Sequence, residues 1–176
     1  MDSSDKLGME NFDKQKSLVI SIAKSFGISY NTSRAAVIRY SDSASTYLQF
    51  KDSSSTNDFE RAIHRMSLQN GPPRLGKAFD VALTDVLPQA RRGIPKIAIV
   101  VTNGQQNSGD DVNAASERLR RAGVKVFALG VGTEIDLEEL KLMVEDEEEH
   151  IVSAETYDQL VLNKKNISEK ICEQAG

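Results

Sequence analysis

The sequence is poor in the residues that disulfide frameworks, zinc sites and catalytic triads need. It has one cysteine, Cys172, no tryptophan, and two histidines, His64 and His150, among its 176 residues. A single cysteine closes no intramolecular disulfide. Neither histidine lies near a cysteine, the other histidine or a serine in a sharp turn, so zinc or triad chemistry is not indicated. We therefore expect no enzymatic activity, and we expect both histidines to be structural or to lie on the surface.

The sequence also lacks long apolar runs and an excess of positive charge. Its longest apolar stretches, residues 97–102 and 124–131, are far shorter than the roughly 20 residues of a membrane-spanning helix. The 22 lysine and arginine residues are outnumbered by 26 acidic residues, and the net charge of -4 excludes the broad basic footprint that nucleic acid requires. We expect no membrane insertion, no nucleic-acid partner and no secretory signal within residues 1–12.

The apolar residues that are present alternate along the chain between helical and strand-like spacing. A continuous apolar run at 97–101 is typical of a parallel strand that is covered on both faces, and residues 124–131 predict another buried strand. The other predicted elements are helices at 9–26, 59–66, 75–86, 110–122, 137–144 and 157–171, a hairpin of strands at 35–40 and 45–50, and a short strand at 150–152. This alternation predicts one α/β domain with a mostly parallel, doubly wound sheet, one antiparallel edge strand and helices on both faces.

Five segments, in the right order, resemble the von Willebrand factor type A domain. They are residues 2–12, 34–41, 75–79, 96–104 and 123–132. The resemblance covers nearly the whole chain and is similar in kind to the A domains of type VI collagen and the matrilins. It implies a Rossmann-like fold, a non-enzymatic adhesion or protein-interaction function, matrix proteins as partners, and an extracellular location as part of a longer secreted protein.

Many members of this family bind Mg²⁺ at a metal-ion-dependent adhesion site, for which the pattern is Asp-x-Ser-x-Ser, a Thr and a later Asp. The matching positions here are Asp2, Ser4, Lys6, Pro73 and Asn103. Mg²⁺ requires oxygen ligands, usually including one or two carboxylates. Because a lysine, a proline and an asparagine replace a serine, the threonine and the second aspartate, we expect a degenerate site that binds no metal or other cofactor.

Two alternatives for this site remain open from the sequence. The Lys6 ammonium could replace the metal ion, paired with Asp2 and the oxygen of Asn103, or it could point into water. Asp5 could restore a carboxylate and give a rearranged, Mg²⁺-dependent adhesion site. A different class of function, an intracellular module in a multiprotein complex, would leave Cys172 reduced.

The resemblance also implies an apolar central strand directly before the Asp-x-Ser loop, and in matrix members a cysteine upstream of it that pairs with one after the last helix. Only Met1 precedes Asp2 here, and Cys172 lies at the second cysteine position. We therefore expect a single domain over residues 1–176 that is N-terminally truncated, with a first strand and a cysteine partner for Cys172 lying upstream. A sheet without that strand would contain unpaired backbone groups.

Two further features bear on location and partners. Asn31 and Asn166 each begin an N-glycosylation acceptor sequence, which fits an exported glycoprotein. Residues 145–149 are five consecutive acids, which either form a solvated loop or attract a basic partner or Ca²⁺.

Overall fold

A computed structural model describes residues 1–102, 111–145 and 148–175 of the chain. Within these ranges the helices are α1 (Met9–Phe26), α2 (Thr56–His64), α3 (Leu75–Val81), α4 (Val112–Arg121), α5 (Leu137–Val144), α6 (Tyr157–Leu162) and α7 (Lys164–Ala175). The strands are β1 (Val37–Tyr40), β2 (Ala44–Leu48), β3 (Lys96–Thr102), β4 (Val124–Val131) and β5 (Ile151–Ala154). Helical turns over Ala82–Val86 and Leu87–Gln89 continue α3. No helix in the described ranges is long and apolar enough to cross a bilayer.

Three of the strands form a parallel sheet in the order β3-β4-β5. Side chains of β4 alternate between its two faces. Phe127 and Leu129 pack in one apolar core with residues of α1, α6 and α7, while Val126 and Ala128 pack in a second core with residues of α3, α4 and α5. β4 is therefore a buried strand with helices on both faces, as the sequence predicts.

The remaining two strands form a separate antiparallel hairpin. β1 pairs with β2 from Val37↔Leu48 to Tyr40↔Ala44 and belongs to a different sheet from β3. The α/β class, the parallel strands and the antiparallel edge strand are confirmed, and the strands lie in two separate ladders. Among the described residues no full strand lies between β1 and β3 to join the two ladders, so the sheet is split at that point.

One correction concerns the C-terminal part of the chain. The sequence predicts one helix over residues 157–171, but the structure has two helices, α6 and α7, which are separated at Asn163. Both contribute to the same apolar core, through Tyr157 and Leu160 from α6 and through Ile167 and Ile171 from α7. The apolar spacing therefore continues across the break and conceals it.

An apolar cleft of about 590 Å³ occupies the gap between β1 and β3. It is lined by residues of both strands, of the C-terminal half of α1, and of the helical turns that follow α3. The first four residues of β3 are only partly buried, whereas β4 is buried at every position except Lys125. The sequence predicts that β3 is a central, fully covered strand, and the cleft is the reason why its first residues are only partly buried.

Close packing between β4 and α5 depends on the glycine at position 130. A Cβ atom at Gly130 would lie 2.8 Å from Cδ1 of Leu140 and 3.2 Å from Cδ1 of Ile135. Leu140 is fully buried, so its side chain has little room to move away. A side chain at position 130 would therefore require Leu140 or Ile135 to shift.

We expect Gly130→Ala to destabilise the fold by about 1 kcal/mol, since overpacking in the core costs more than the substitution gains in the unfolded chain. Urea denaturation measures the effect. Leu140→Ala in the same chain removes the clashing atom, so the cost of the double variant should be smaller than the sum of the two single costs. Strict additivity would show that the alanine is accommodated without contacting Leu140.

Candidate functional site

The first loop begins as a short strand at the carboxyl end of β1. Asp2 forms a parallel bridge with Tyr40, and the Ser3 backbone N–H donates a hydrogen bond to the Tyr40 carbonyl oxygen at 2.8 Å. On the other side of the bridge, the Tyr40 N–H donates to the Met1 carbonyl at 3.1 Å. These bonds place Asp2 and Ser4 at the edge of the fold where the sequence predicts the adhesion site.

Two oxygen-bearing side chains of the predicted site are buried next to each other. Asp2 is 1% exposed, and its Oδ1 accepts a hydrogen bond from the Ser4 N–H at 2.8 Å. Burial raises the pKa of the Asp2 carboxyl above its usual value, although the bond from Ser4 opposes the rise. The Ser4 hydroxyl is also buried, and its interaction with the Asp2 carboxylate likewise opposes the rise in the pKa of Asp2.

The loop that contains Pro73 lies against this first loop. The Gln69 N–H donates to the Ser3 carbonyl at 2.8 Å, and the Asp5 N–H donates to the Gly71 carbonyl at 3.3 Å. The side chain of Pro73 is buried but has no oxygen to offer an ion. The structure thus brings the segments of three predicted positions, Asp2, Ser4 and Pro73, into one region.

The other two predicted positions differ in what the structure describes. Lys6 and its neighbour Asp5 are both exposed. Asn103 lies outside the described residues, so the pairing of the Lys6 ammonium with Asp2 and Asn103 stays a prediction.

One neighbouring contact was not predicted from the sequence. The Ser3 hydroxyl donates a hydrogen bond that is shared between two acceptors. These are the Tyr40 carbonyl oxygen at 2.9 Å and Oε1 of Gln69 at 3.0 Å. Ser3 is completely buried. Nothing in the local sequence marks Gln69 as a partner, because the two residues are 66 positions apart and only the folded chain brings them together.

The donor set can be compared with what Mg²⁺ needs. The ion favours near-octahedral coordination by oxygen, usually with retained waters and one or two carboxylates. The described residues at this site supply one carboxylate, Asp2, and one hydroxyl, Ser4, and within the described ranges no cluster of three or more His, Cys, Asp or Glu side chains could hold a metal. These residues do not by themselves fit an Mg²⁺ shell.

The other residues singled out in the sequence lie away from this site. Asn31 is exposed in the loop after α1, and Asn166 is exposed on α7. His64 is exposed, whereas His150 is 3% exposed and packs its ring 4.2 Å from that of Phe127. The predicted surface and structural positions of the histidines are therefore both observed.

The acidic run is only partly described. Glu145 ends α5 with a left-handed backbone conformation (φ 62°), and its carboxylate lies 3.5 Å from the guanidinium Nε of Arg120. Glu148 and Glu149 are exposed, whereas residues 146–147 lie outside the described ranges. The described geometry fits a solvated turn that α4 supports through Arg120.

Cys172 lies exposed on α7 and lines the apolar cleft. An exposed thiol can form an intermolecular disulfide under oxidising conditions. We expect the purified 176-residue chain to form a covalent dimer on non-reducing gels, and we expect Cys172→Ser to abolish it. A chain that stays monomeric after oxidation and resists alkylation would contradict the exposed position.

The sequence of the chain is similar to one family of domains and to several extracellular matrix proteins. The model of the von Willebrand factor type A domain matches residues 1–166. Cuticlin-6 of Caenorhabditis elegans is 34% identical over 160 residues, which make up 91% of this chain and 27% of cuticlin-6. The collagen alpha-1(XXI) chain of Homo sapiens is 28% identical over 176 residues, 99% of this chain and 18% of that collagen. Matrilins are further relatives. The chain therefore spans only a small part of the length of these relatives.

Solved structures show the same fold. Proximal thread matrix protein 1 from the mussel byssus, solved with zinc in its metal-ion-dependent adhesion site motif, matches with a TM-score of 0.88 and 26% identity. The match covers 97% of this chain and 44% of the mussel protein. The predicted likeness to matrix proteins is confirmed, and one structural relative has a metal at the corresponding motif.

Proposed function

Because the chain belongs to the von Willebrand factor type A domain family, we propose that it is a non-enzymatic module that binds extracellular matrix proteins without a metal ion. The occurrence of similar domains in a collagen, matrilins and a cuticlin supports the matrix setting. Matrix components are the class of partner that follows from these relatives.

The observation that supports metal independence is the chemistry of the first loop and its neighbour. Asp2 and Ser4 provide oxygen atoms, but Pro73 has no side-chain donor and Lys6 contributes a positive charge. In metal-dependent members of the family, a carboxylate of the partner completes the coordination of the ion. The proposed binding of matrix proteins by this chain does not use that contact. Recognition instead uses the exposed surface around the loop, which includes Lys6 and the 59%-exposed side chain of Met9 at the start of α1.

A metal-dependent module with a rearranged site is the second candidate. It is favoured by the buried Asp2 carboxylate and Ser4 hydroxyl, two oxygen ligands that lie next to each other in the first loop. The zinc-containing mussel relative shows that the motif of that protein accepts a metal. Exposed Asp5 would then supply the additional carboxylate.

Calorimetric titration with MgCl₂ separates the two candidates. We expect no saturable heat up to about 1 mM, the weak end of physiological divalent-ion binding. The triple variant Lys6→Ser, Pro73→Thr, Asn103→Asp restores the family pattern and should bind, since each change alone leaves the shell incomplete. Asp2→Ala in the triple variant should remove that heat. Saturable binding by the unchanged chain would favour the rearranged site.

Binding to purified fibrillar collagens and matrix glycoproteins tests the partner class. We expect interaction of the immobilised chain with at least one of them, with equal affinity in EDTA and in Mg²⁺. Loss of binding in EDTA would identify metal-dependent adhesion, and absence of binding to the whole panel would contradict the matrix assignment.

The extracellular location is tested by chemistry at Asn31. Because Asn31 is exposed in a loop, it is accessible to glycosylation, whereas Asn166 is followed by two buried residues of α7. Glycans on Asn31 in native material would exclude an intracellular module. An unmodified Asn31 together with a reduced Cys172 would favour that third class.

A further inference from the structure

The loop that leads to Pro73 contains an asparagine followed directly by a glycine. Asn70 is exposed and lies outside the described helices and strands. Within the described ranges its side-chain amide forms no hydrogen bond, and the N–H of Gly71 donates to no acceptor. The Gly71 nitrogen can therefore attack the side-chain carbonyl carbon of Asn70 without breaking a described bond.

The other asparagines of the described ranges provide a comparison. At five of them the N–H of the following residue donates a hydrogen bond of 2.9–3.2 Å to a helix turn, a helix cap or a loop serine, and the following residue is not glycine. These five are Asn11, Asn31, Asn57, Asn113 and Asn166. Asn163 is exposed like Asn70, but it precedes Lys164, whose side chain shields the backbone nitrogen. Among the described asparagines, Asn70 alone combines exposure, a free neighbouring N–H and a neighbour without a side chain.

The fold itself requires glycine at position 71. The φ angle of Gly71 is 107°, which L side chains rarely adopt, and a Cβ atom there would lie 3.0 Å from Cβ of Asp42. Any other residue would be strained at this position. The structure thus keeps next to Asn70 the residue type that leaves the backbone nitrogen unhindered.

Asn70 lies between two backbone contacts with the first loop. On one side of it the Gln69 N–H donates to the Ser3 carbonyl at 2.8 Å, and on the other side the Gly71 carbonyl accepts from the Asp5 N–H at 3.3 Å. Both bonds depend on the length of main chain between residues 69 and 71. A chemical change in the backbone at Asn70 would therefore act directly on the first loop.

We propose that Asn70 is a modification site at which the chain deamidates spontaneously, and that the isoaspartate product detaches residue 71 from the first loop. The Gly71 nitrogen loses its proton and attacks the side-chain carbonyl carbon of Asn70. The new C–N bond closes a succinimide ring, and the side-chain nitrogen leaves as ammonia. Water then opens the ring at either carbonyl to give aspartate or isoaspartate. One water is consumed for each ammonia released, and no oxidant or enzyme is needed.

The isoaspartate product differs from aspartate in the path of its main chain. In isoaspartate the main chain runs through Cβ and is longer by one atom, so the bonds from residues 69 and 71 to the first loop no longer fit together. The longer of the two, between Asp5 and Gly71, should be lost. Either product also adds a negative charge to the segment that contacts the first loop. This modification is separate from the proposed function, because it changes the loop whether or not the chain binds matrix proteins.

Peptide mapping by mass spectrometry after incubation of the folded chain at several pH values tests the modification. Trypsin releases Asn70 within residues 66–74 and Asn103, which also precedes a glycine but lies outside the described residues, within residues 97–118. We expect conversion of Asn70 beyond that in a sample digested at once, at a rate that rises in proportion to hydroxide concentration, while Asn163 stays unmodified. Asn70→Gln, which would need a larger ring, should give no product at this position. A folded chain that keeps Asn70 intact while the urea-unfolded chain converts would overturn the proposal.

Hydrogen exchange tests the effect on the first loop. The Asp5 amide should lose its protection in chains that contain isoaspartate at position 70. The contact with β1, where the Met1 amino group donates to the Ile38 carbonyl at 2.8 Å and the Ser3 N–H donates to Tyr40, does not involve residues 69–71, so the Ser3 amide should stay protected.

The Asn70→Asp variant is the matched control, because it has the added charge on a main chain of normal length. Its Asp5 amide should stay as protected as in the fresh chain. Equal protection of Asp5 in the isoaspartate chain and in Asn70→Asp would overturn the effect on the first loop.

Discussion

Adding about five apolar, β-branched residues before Met1 should stabilise the chain by about 3–5 kcal/mol. Each buried aliphatic side chain contributes about 1.5–3 kcal/mol, and ordering a residue costs about 1–2 kcal/mol. The remaining gain comes from hydrogen bonds to the free edges of β1 and β3, at about 0.5–1.5 kcal/mol each. Urea denaturation of both chains measures the difference, which should appear as a higher transition midpoint and a sharper transition.

A glycine and serine segment of equal length is the matched control, because it moves the amino group away from Ile38 without filling the cleft. It should recover only the part of the gain that comes from relieving the buried charge. A sharp, reversible melt of the unextended chain above about 60 °C would contradict the expectation, since it would show that the split sheet costs little.

The stability of the 176-residue chain should rise by up to roughly 3 kcal/mol between pH 6 and pH 8. Burial lowers the pKa of the Met1 amino group from 8.0 to about 6, and the nearby Asp2 carboxylate opposes the shift. In this pH window the unfolded chain binds more protons than the folded chain, so unfolding becomes less favourable as pH rises. Below pH 6 the buried ammonium destabilises the folded state in full, and above pH 8 this cost has gone.

Acetylation of the Met1 nitrogen isolates this effect, because it removes the charge and keeps one N–H to donate to the Ile38 carbonyl. The acetylated chain should be more stable at pH 6 and should lose the rise between pH 6 and pH 8. Free energies of unfolding from urea titrations at a series of pH values give the comparison. A rise that persists after acetylation would assign the pH dependence to another group.

Much of the architecture could be predicted because it is determined by local periodicity. The apolar run at the start of β4 alternates between two cores, and such a run has few other stable arrangements. The break at Asn163 could not be predicted, since no glycine or proline marks it and the buried residues on either side keep helical spacing.

Only part of the candidate site could be predicted from the sequence. The closeness of Asp2 and Ser4 follows from their spacing in one loop, so the sequence predicts it. The bond between Ser3 and Gln69 depends on how two distant segments dock, and no pattern in either segment indicates it. Sequence reasoning therefore finds donors within a loop and misses contacts between loops.

The split sheet also divides the molecule into two folding units of different autonomy. One unit is the continuous segment from β3 to β5, in which each strand pairs with the next strand along the chain. Contacts between segments that are close in sequence favour rapid folding. The β1-β2 hairpin is joined to that unit by side-chain packing and by no backbone ladder among the described residues. Under pulling force or partial unfolding, the hairpin should separate while the three-stranded unit stays folded. The contact between the hairpin and the three-stranded unit should therefore break before either part of the parallel sheet unfolds.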